Sequence, residues 1–211
     1  MSQALPLNVK VLPMFYEPRR RNHGLPHDPF KALVAPRPIG WISSISRDGA
    51  VNLAPYSYFN AFGTMPPIVG FSSEGMKDSA SFAAESGEFV CNIVTKRDGA
   101  AMNATSASLP RGVSEFEAAG LEMEASTLVR APRVKGIAAA LECKTVQVLP
   151  LCGADGVQTN AILVLGEVIG IYIDEAFLVD GRVDAVKMGQ LARLGYMDYA
   201  AVERVFSLNR P

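Results

Sequence analysis

Residues 39–47 read IGWISSISR and residues 51–56 read VNLAPY, two strand-like runs on either side of Asp48 and Gly49. An Asp-Gly pair between such runs is the chemistry of a tight hairpin turn, so a β-hairpin is predicted. After Pro66 and Pro67, residues 68–73 (IVGFSS) read as a buried strand. Residues 77–86 follow as a short helix, with Asp78 or Ser79 to cap its start and Gly87 to end it. Residues 88–94 are again strand-like and residues 98–107 helical, while Ser114 and Glu117 have capping-box spacing before Gly120. In the second half, β-branched runs at residues 142–149 and 160–173 flank a loop with Gly153, Asp155 and Gly156, which predicts two long strands joined by a hairpin.

Helices of crossover length are too few for a parallel doubly wound sheet, and the hairpins require antiparallel pairing. The expected fold class is mainly β, an antiparallel barrel with short peripheral helices, because closure removes exposed strand edges. Residues 1–30 carry Pro6, Pro13, Pro18, Pro26 and Pro29, a density that forbids a continuous helix. They are expected to form a Pro-rich arm, with residues 31–211 as one domain.

Composition narrows the function classes. The 211 residues carry 20 Lys+Arg against 21 Asp+Glu, a net charge of −1 that speaks against a nucleic-acid binder. Three cysteines without a CxxC give no disulfide framework or zinc ribbon, so a reducing, cytoplasmic setting is expected. No signal-peptide pattern opens the chain, and the longest apolar stretch, residues 161–173, contains Glu167 and is too short to span a bilayer. Arg19, Arg20 and Arg21 read as solvated surface. His23 and His27 flank Pro26 without a third ligand nearby, so no metal is expected.

The densest chemistry lies in residues 72–79, SSEGMKDS. A strand there ends in Ser72 and Ser73, and a glycine turn leads to Lys77 and Ser79 at a helix start. Hydroxyls, an ammonium and the free N–H groups of a helix N-terminus are what a phosphate monoester needs. Neither GxxxxGK[ST] nor GxGxxG is present, so this is not one of the common nucleotide loops. The hairpin brings Trp41, Ile42, Ser43 and Ser44 opposite Asn52, Leu53, Ala54 and Pro55. Ser57, Tyr58 and Phe59 follow, a grouping of small polar groups and flat rings that suits a planar ligand with a polar edge. With two histidines in the chain, a Ser/His/Asp or Cys/His apparatus is hard to build, and no catalytic side chain is assigned.

The runs APRPIGWISS (35–44) and NLAPYSYFN (52–60), with KDS (77–79), GEFVCN (87–92) and LEC (141–143), resemble the flavin reductase-like family. That family includes flavoredoxin and the reductase components of two-component monooxygenases. The likeness runs in order from about residue 31 to 199. It implies an FMN-binding split barrel and a homodimer with flavin near the subunit interface. Trp41, Ile42, Ser43 and Ser44, with Asn52, Ala54, Pro55, Ser57, Tyr58 and Phe59, would line the ring and ribityl chain. Ser72, Ser73, Lys77 and Ser79 would hold the phosphate.

The implied activity is hydride transfer from NAD(P)H to flavin, with electrons passed to a monooxygenase or other acceptor, or reduced flavin released. A non-turnover FMN-binding electron-transfer, sensor or storage protein, or an oxidase with its own substrate, would use the same residues. One departure stands out. The family often has an Arg-Leu-Gly-Gly segment near the C-terminus where this chain has Arg193, Leu194, Gly195 and Tyr196, and Tyr196 is expected to narrow the space over the flavin face.

Overall fold

The computed structural model describes residues 13–110 and 113–209. Seven antiparallel strands form the main sheet: β1 (Gly40–Ile45), β2 (Val51–Tyr56), β3 (Phe59–Thr64), β4 (Pro67–Glu74), β5 (Glu88–Ile93), β6 (Ala139–Cys152) and β7 (Gln158–Ile173). Their spatial order is β2-β1-β5-β6-β7-β4-β3. Both predicted hairpins form. Ser44 faces Asn52 and Ile42 faces Ala54 across the first, with Gly49 at φ 94° in its turn. Gln158 faces Cys152 at the closed end of the second. The mainly β, split-barrel expectation is met, with helices confined to short peripheral pieces.

Period-two alternation along β1 sorts its side chains between two cores. Ile42 points into the barrel with Phe71, Phe89, Cys91, Cys143 and Val164. Trp41 points outward, into a layer with Leu53, Val90, Met102, Phe116 and Ile137. Gly166 on β7 is required by this packing, since a Cβ there would lie 2.5 Å from the Phe89 ring. Buried carboxylates pin the outer layer down. Glu142 accepts from the N–H groups of Thr127 (2.8 Å) and Leu128 (2.5 Å), and Glu88 from that of Arg130 at 2.7 Å.

The helices depart from the local reading in instructive ways. Helix α1 is Phe30–Leu33 and α2 is Asp78–Ser86. Gly87 ends α2 in the left-handed region as expected, but Lys77 and not Asp78 or Ser79 is the N-cap residue, and no side chain caps it. Ser79 is instead drawn into a tertiary hydrogen bond. The predicted helix over residues 98–107 shortens to a 3-10 turn, Lys96–Asp98, and α3, Gly99–Ala104. A Thr95–Asp98 capping box starts it. Helix α4, Glu115–Ala118, begins after Ser114, whose hydroxyl is buried without a partner, so the Ser114–Glu117 box does not form. Glu115 turns inward instead.

Of the Pro-rich arm, residues 1–12 lie outside the described residues. Residues 13–29 hold one 3-10 turn, Pro18–Arg20, and touch the barrel through an Arg19–Asp155 ion pair of 2.8 Å. His27 lies against Tyr196, ring centroids 5.7 Å apart.

Candidate functional site

At one end of the barrel, β2, the N-terminus of α2 and the segment after α3 surround a cavity of about 460 Å³. Asn52, Ala54 and Pro55 reach it from β2, Lys77, Asp78 and Ser79 from α2, and Thr105, Ser106, Ala107, Ser108 and Leu109 from the loop. The joint between strand and helix is one buried contact, Asn52 Nδ2 donating to Ser79 Oγ at 2.7 Å. The first N–H groups of α2 have no partner within the helix, as at any helix start. With no side-chain cap over them and Lys77 beside them, the donors of an anion site are gathered.

Behind this point the barrel end is polar. Ser73 and Ser44 are buried; the Ser44 hydroxyl has no hydrogen-bond partner, and that of Ser73 lies beside the Tyr56 phenol. Burial pushes the phenol of Tyr56 up, partly offset by the neighbouring Ser79 and Ser73 hydroxyls. It therefore stays a neutral donor at ordinary pH. Glu115, also on the cavity wall, accepts from the Leu53 N–H at 2.9 Å. Burial pushes its carboxyl up.

Several residues named from the sequence serve at one remove. Trp41 is fully buried, and its Nε1 donates to Thr105 Oγ1 at 2.8 Å, anchoring the loop that crosses the cavity. Ser43 Oγ donates to the Pro132 carbonyl and receives Asn92 Nδ2, and Ile42 belongs to the barrel core. None of these three is on the cavity wall. Tyr58, Phe59 and Ser72 line a hollow beside Pro36 and Phe62, joined through Ser57 and Arg37 to the second cavity described below. Ser57 lies on a second cavity.

That second cavity, about 360 Å³, adjoins the first and shares Pro55 and Ser106 with it. Lys31, Arg37, Arg193, Tyr196 and Tyr199 stand on its walls. Arg37 is 7% exposed and gives Nη1 to the carbonyls of Lys31 and Val34 and Nη2 to that of Leu194 at 2.7 Å. It ties α1 to the turn after the Leu191–Arg193 strand. Tyr196 holds φ 56°, a left-handed conformation that favours glycine, and is 51% exposed. The glycine expected at this position by resemblance thus has a backbone reason. Gly195 beside it packs so closely that a Cβ would meet Ala32 Cα at 2.7 Å.

Sequence reasoning missed the 105–109 loop, Glu115 and the cationic second cavity, and it named Tyr56 only as one ring of the run after the hairpin. The small hydroxyl residues Ser106 and Ser108 were the available signal for the loop. Nothing local marks the others, since each is brought in by tertiary packing.

Residues 33–187 match the flavin reductase like domain. The chain belongs to that family. Nitrilotriacetate monooxygenase component B from Bacillus cereus superposes with a TM-score of 0.83 at 29% identity, covering 93% of this chain and 100% of that one. The 2-nitrobenzoate 2-nitroreductase of Pseudomonas fluorescens gives 0.76 at 29% identity, covering 86% and 88%. A split-barrel protein from Shewanella frigidimarina gives 0.77 at 25% identity, covering 93% and 94%. The family supports flavin binding and oxidoreductase chemistry in this chain.

Proposed function

We propose that the chain is an FMN-binding NAD(P)H:flavin oxidoreductase that delivers electrons to an oxygenase or similar acceptor. The observation that carries this reading is the cluster of donors at the α2 N-terminus, where Asn52 holds Ser79 beside Lys77 with buried hydroxyls behind. The donor set fits a phosphate monoester, and the cavity volume falls within the range of about 300–1,000 Å³ common for small-ligand sites.

Lys77, Ser79 and the first N–H groups of α2 would take the phosphate, with Ser73 and Tyr56 supporting them from below. Asn52, Ala54, Pro55 and the 105–109 loop would flank the remainder, with Ser57 and Tyr58 at the ring end. Trp41, Ile42, Ser43, Ser44, Phe59 and Ser72 act in this reading as the scaffold of that wall. FMN held there would supply the two-electron redox chemistry, with NAD(P)H as the hydride source and an oxygenase or similar acceptor downstream. The residues contribute orientation, charge and exclusion of water, and none is assigned a proton-transfer role.

A homodimer is part of the proposal. Phe62 and Met65, 58% and 92% exposed at the β3 end, and the exposed Val146, Leu149 and Leu151 on β6 are apolar side chains that such an interface would cover. Three free cysteines agree with a cytoplasmic location. The decisive test is anaerobic mixing of FMN-loaded protein with NADH and, separately, NADPH. Rapid bleaching of the flavin band is expected with one or both. Tight FMN binding without bleaching would favour the carrier or sensor reading.

A further inference from the structure

Away from the two cavities of the flavin-family site, a third stands where the 3-10 turn Lys96–Asp98, the short helix α5 (Ala185–Met188) and the end of the Tyr199–Ala201 strand converge. It measures about 480 Å³, within the range common for small-ligand sites. It shares no lining residue with either cavity or with the hollow beside Phe62. Its frame is backbone. Gly189 ends α5 in the left-handed region at φ 57°, and its carbonyl accepts from the Lys96 N–H at 3.0 Å. The Val202 N–H donates to the Gln190 carbonyl at 3.1 Å, so segments far apart in sequence are held around one opening.

The wall is apolar and its edge is cationic. Phe177, Val186, Met188, Ala201 and Val202 give it one ring and otherwise aliphatic surface, with a methionine that adapts to an irregular chain. Lys96, Arg97 and Lys187 line it too, against a single carboxylate, Glu203. A lysine lays its alkyl stem along apolar surface and keeps its ammonium in water, so these side chains extend the wall and set charge at its edge. The three cations are not equivalent. Arg97 is spent, with Nε on Asp98 Oδ1 at 3.4 Å and Nη2 donating to the Gly136 carbonyl at 2.7 Å. Lys96 donates to Glu203 at 2.9 Å, but both side chains are about 70% exposed, and water keeps such a pair weak. Lys187 Nζ has neither a hydrogen bond nor an ion pair among the described residues.

We propose that this cavity binds the anion of an aliphatic carboxylic acid, its chain against Val186, Met188 and Val202 and its carboxylate on Lys187, with Lys96 as a second partner when Glu203 is displaced. The apolar wall by itself would accept any hydrocarbon, and the unspent ammonium at its edge decides for a negatively charged head. One free ammonium matches one negative charge. The site stands apart from the flavin reading, since none of its residues belongs to the cavity assigned to FMN.

The test is calorimetric titration of the full chain with octanoate, kept below its micelle-forming concentration, and separately with its neutral analogue octanamide and with acetate. Octanoate is expected to bind at least tenfold more tightly than either, because octanamide lacks the charge and acetate lacks the chain. Lys187→Gln should bring octanoate down to the octanamide value, and Val186→Ser should weaken both severalfold. Glu203→Gln should tighten octanoate severalfold, since it frees Lys96 and removes the one negative charge from the wall. Thermal melting reports whether each variant is folded, and saturating FMN should leave octanoate binding unchanged. Absence of saturable octanoate binding, equal binding of octanoate and octanamide, or a folded Lys187→Gln protein that keeps the preference would overturn the proposal. So would displacement of octanoate by FMN, which would place it in the first cavity. A chain that binds octanoate in this way but takes up no FMN would overturn the flavin reading alone.

Discussion

Asn52 and Ser79 are 27 residues apart in sequence and meet at 2.7 Å with both side chains buried, joining the middle of the first hairpin to the start of α2. The amide nitrogen donates, so the Ser79 hydroxyl proton is left to point elsewhere. Asn52→Ala is therefore expected to leave Ser79 unsupported and to lower FMN affinity about fivefold to tenfold, about 1 to 1.4 kcal/mol. An FMN fluorescence-quenching titration measures it, and an unchanged dissociation constant would remove Asn52 from the site.

The phosphate assignment makes a stronger prediction for Lys77→Ala combined with Ser79→Ala. FMN affinity should fall at least tenfold, about 1.4 kcal/mol or more, while riboflavin, which lacks the phosphate, should bind with nearly the wild-type constant. Raising ionic strength should weaken FMN binding to the wild-type protein more than to the double variant, because Lys77 adds a screenable charge. Equal losses for FMN and riboflavin would place the phosphate elsewhere.

Glu115 supplies a pH signature. Burial raises its carboxyl pKa, so between the unfolded and folded values the folded chain binds more protons than the unfolded one. Its contribution to stability therefore falls as pH rises through that window and the penalty is full above it. Glu115→Gln keeps an acceptor for the Leu53 N–H but carries no charge. The variant should be at least as stable as wild type at neutral pH and should bind FMN severalfold more tightly, with the gain shrinking in acid. Melting curves and FMN titrations across that range check both.

The turn beside the second cavity can be probed by its backbone. Gly195→Ala puts a Cβ 2.7 Å from Ala32 Cα, and such overpacking should cost about 1 to 3 kcal/mol in chemical denaturation. Tyr196→Gly should move the other way, by about 1 kcal/mol, since a left-handed conformation costs a non-glycine residue that much. A destabilised Tyr196→Gly protein would mean that the tyrosine ring's contacts outweigh its backbone strain.

Much of this molecule is legible along the chain. Asp48-Gly49 between alternating runs determines the first hairpin, the long β-branched segments determine β6 and β7, and SSEGMKDS announces a strand, a turn and a helix start with anion-binding donors. These are local matters of turn chemistry and side-chain period, and they hold wherever the segment lies. Trp41 and Ser43 show where the local reading stops. Their residue types suit a ligand wall, but their place on the outward face of β1 commits them to Thr105 and Pro132, because the sheet has a second core on that side. Ser79 looks like a cap and becomes a tertiary partner of Asn52, which leaves α2 open. The second cavity depended wholly on the tertiary structure, since Lys31, Arg37 and Arg193 are brought to one wall only when the Arg37–Pro38 and Leu191–Arg193 strands pair across more than 150 residues of chain. Sequence determines short-range geometry because it is set by bonds and steric limits, whereas the convergence of distant charges is decided by which faces the packed sheet leaves to be covered.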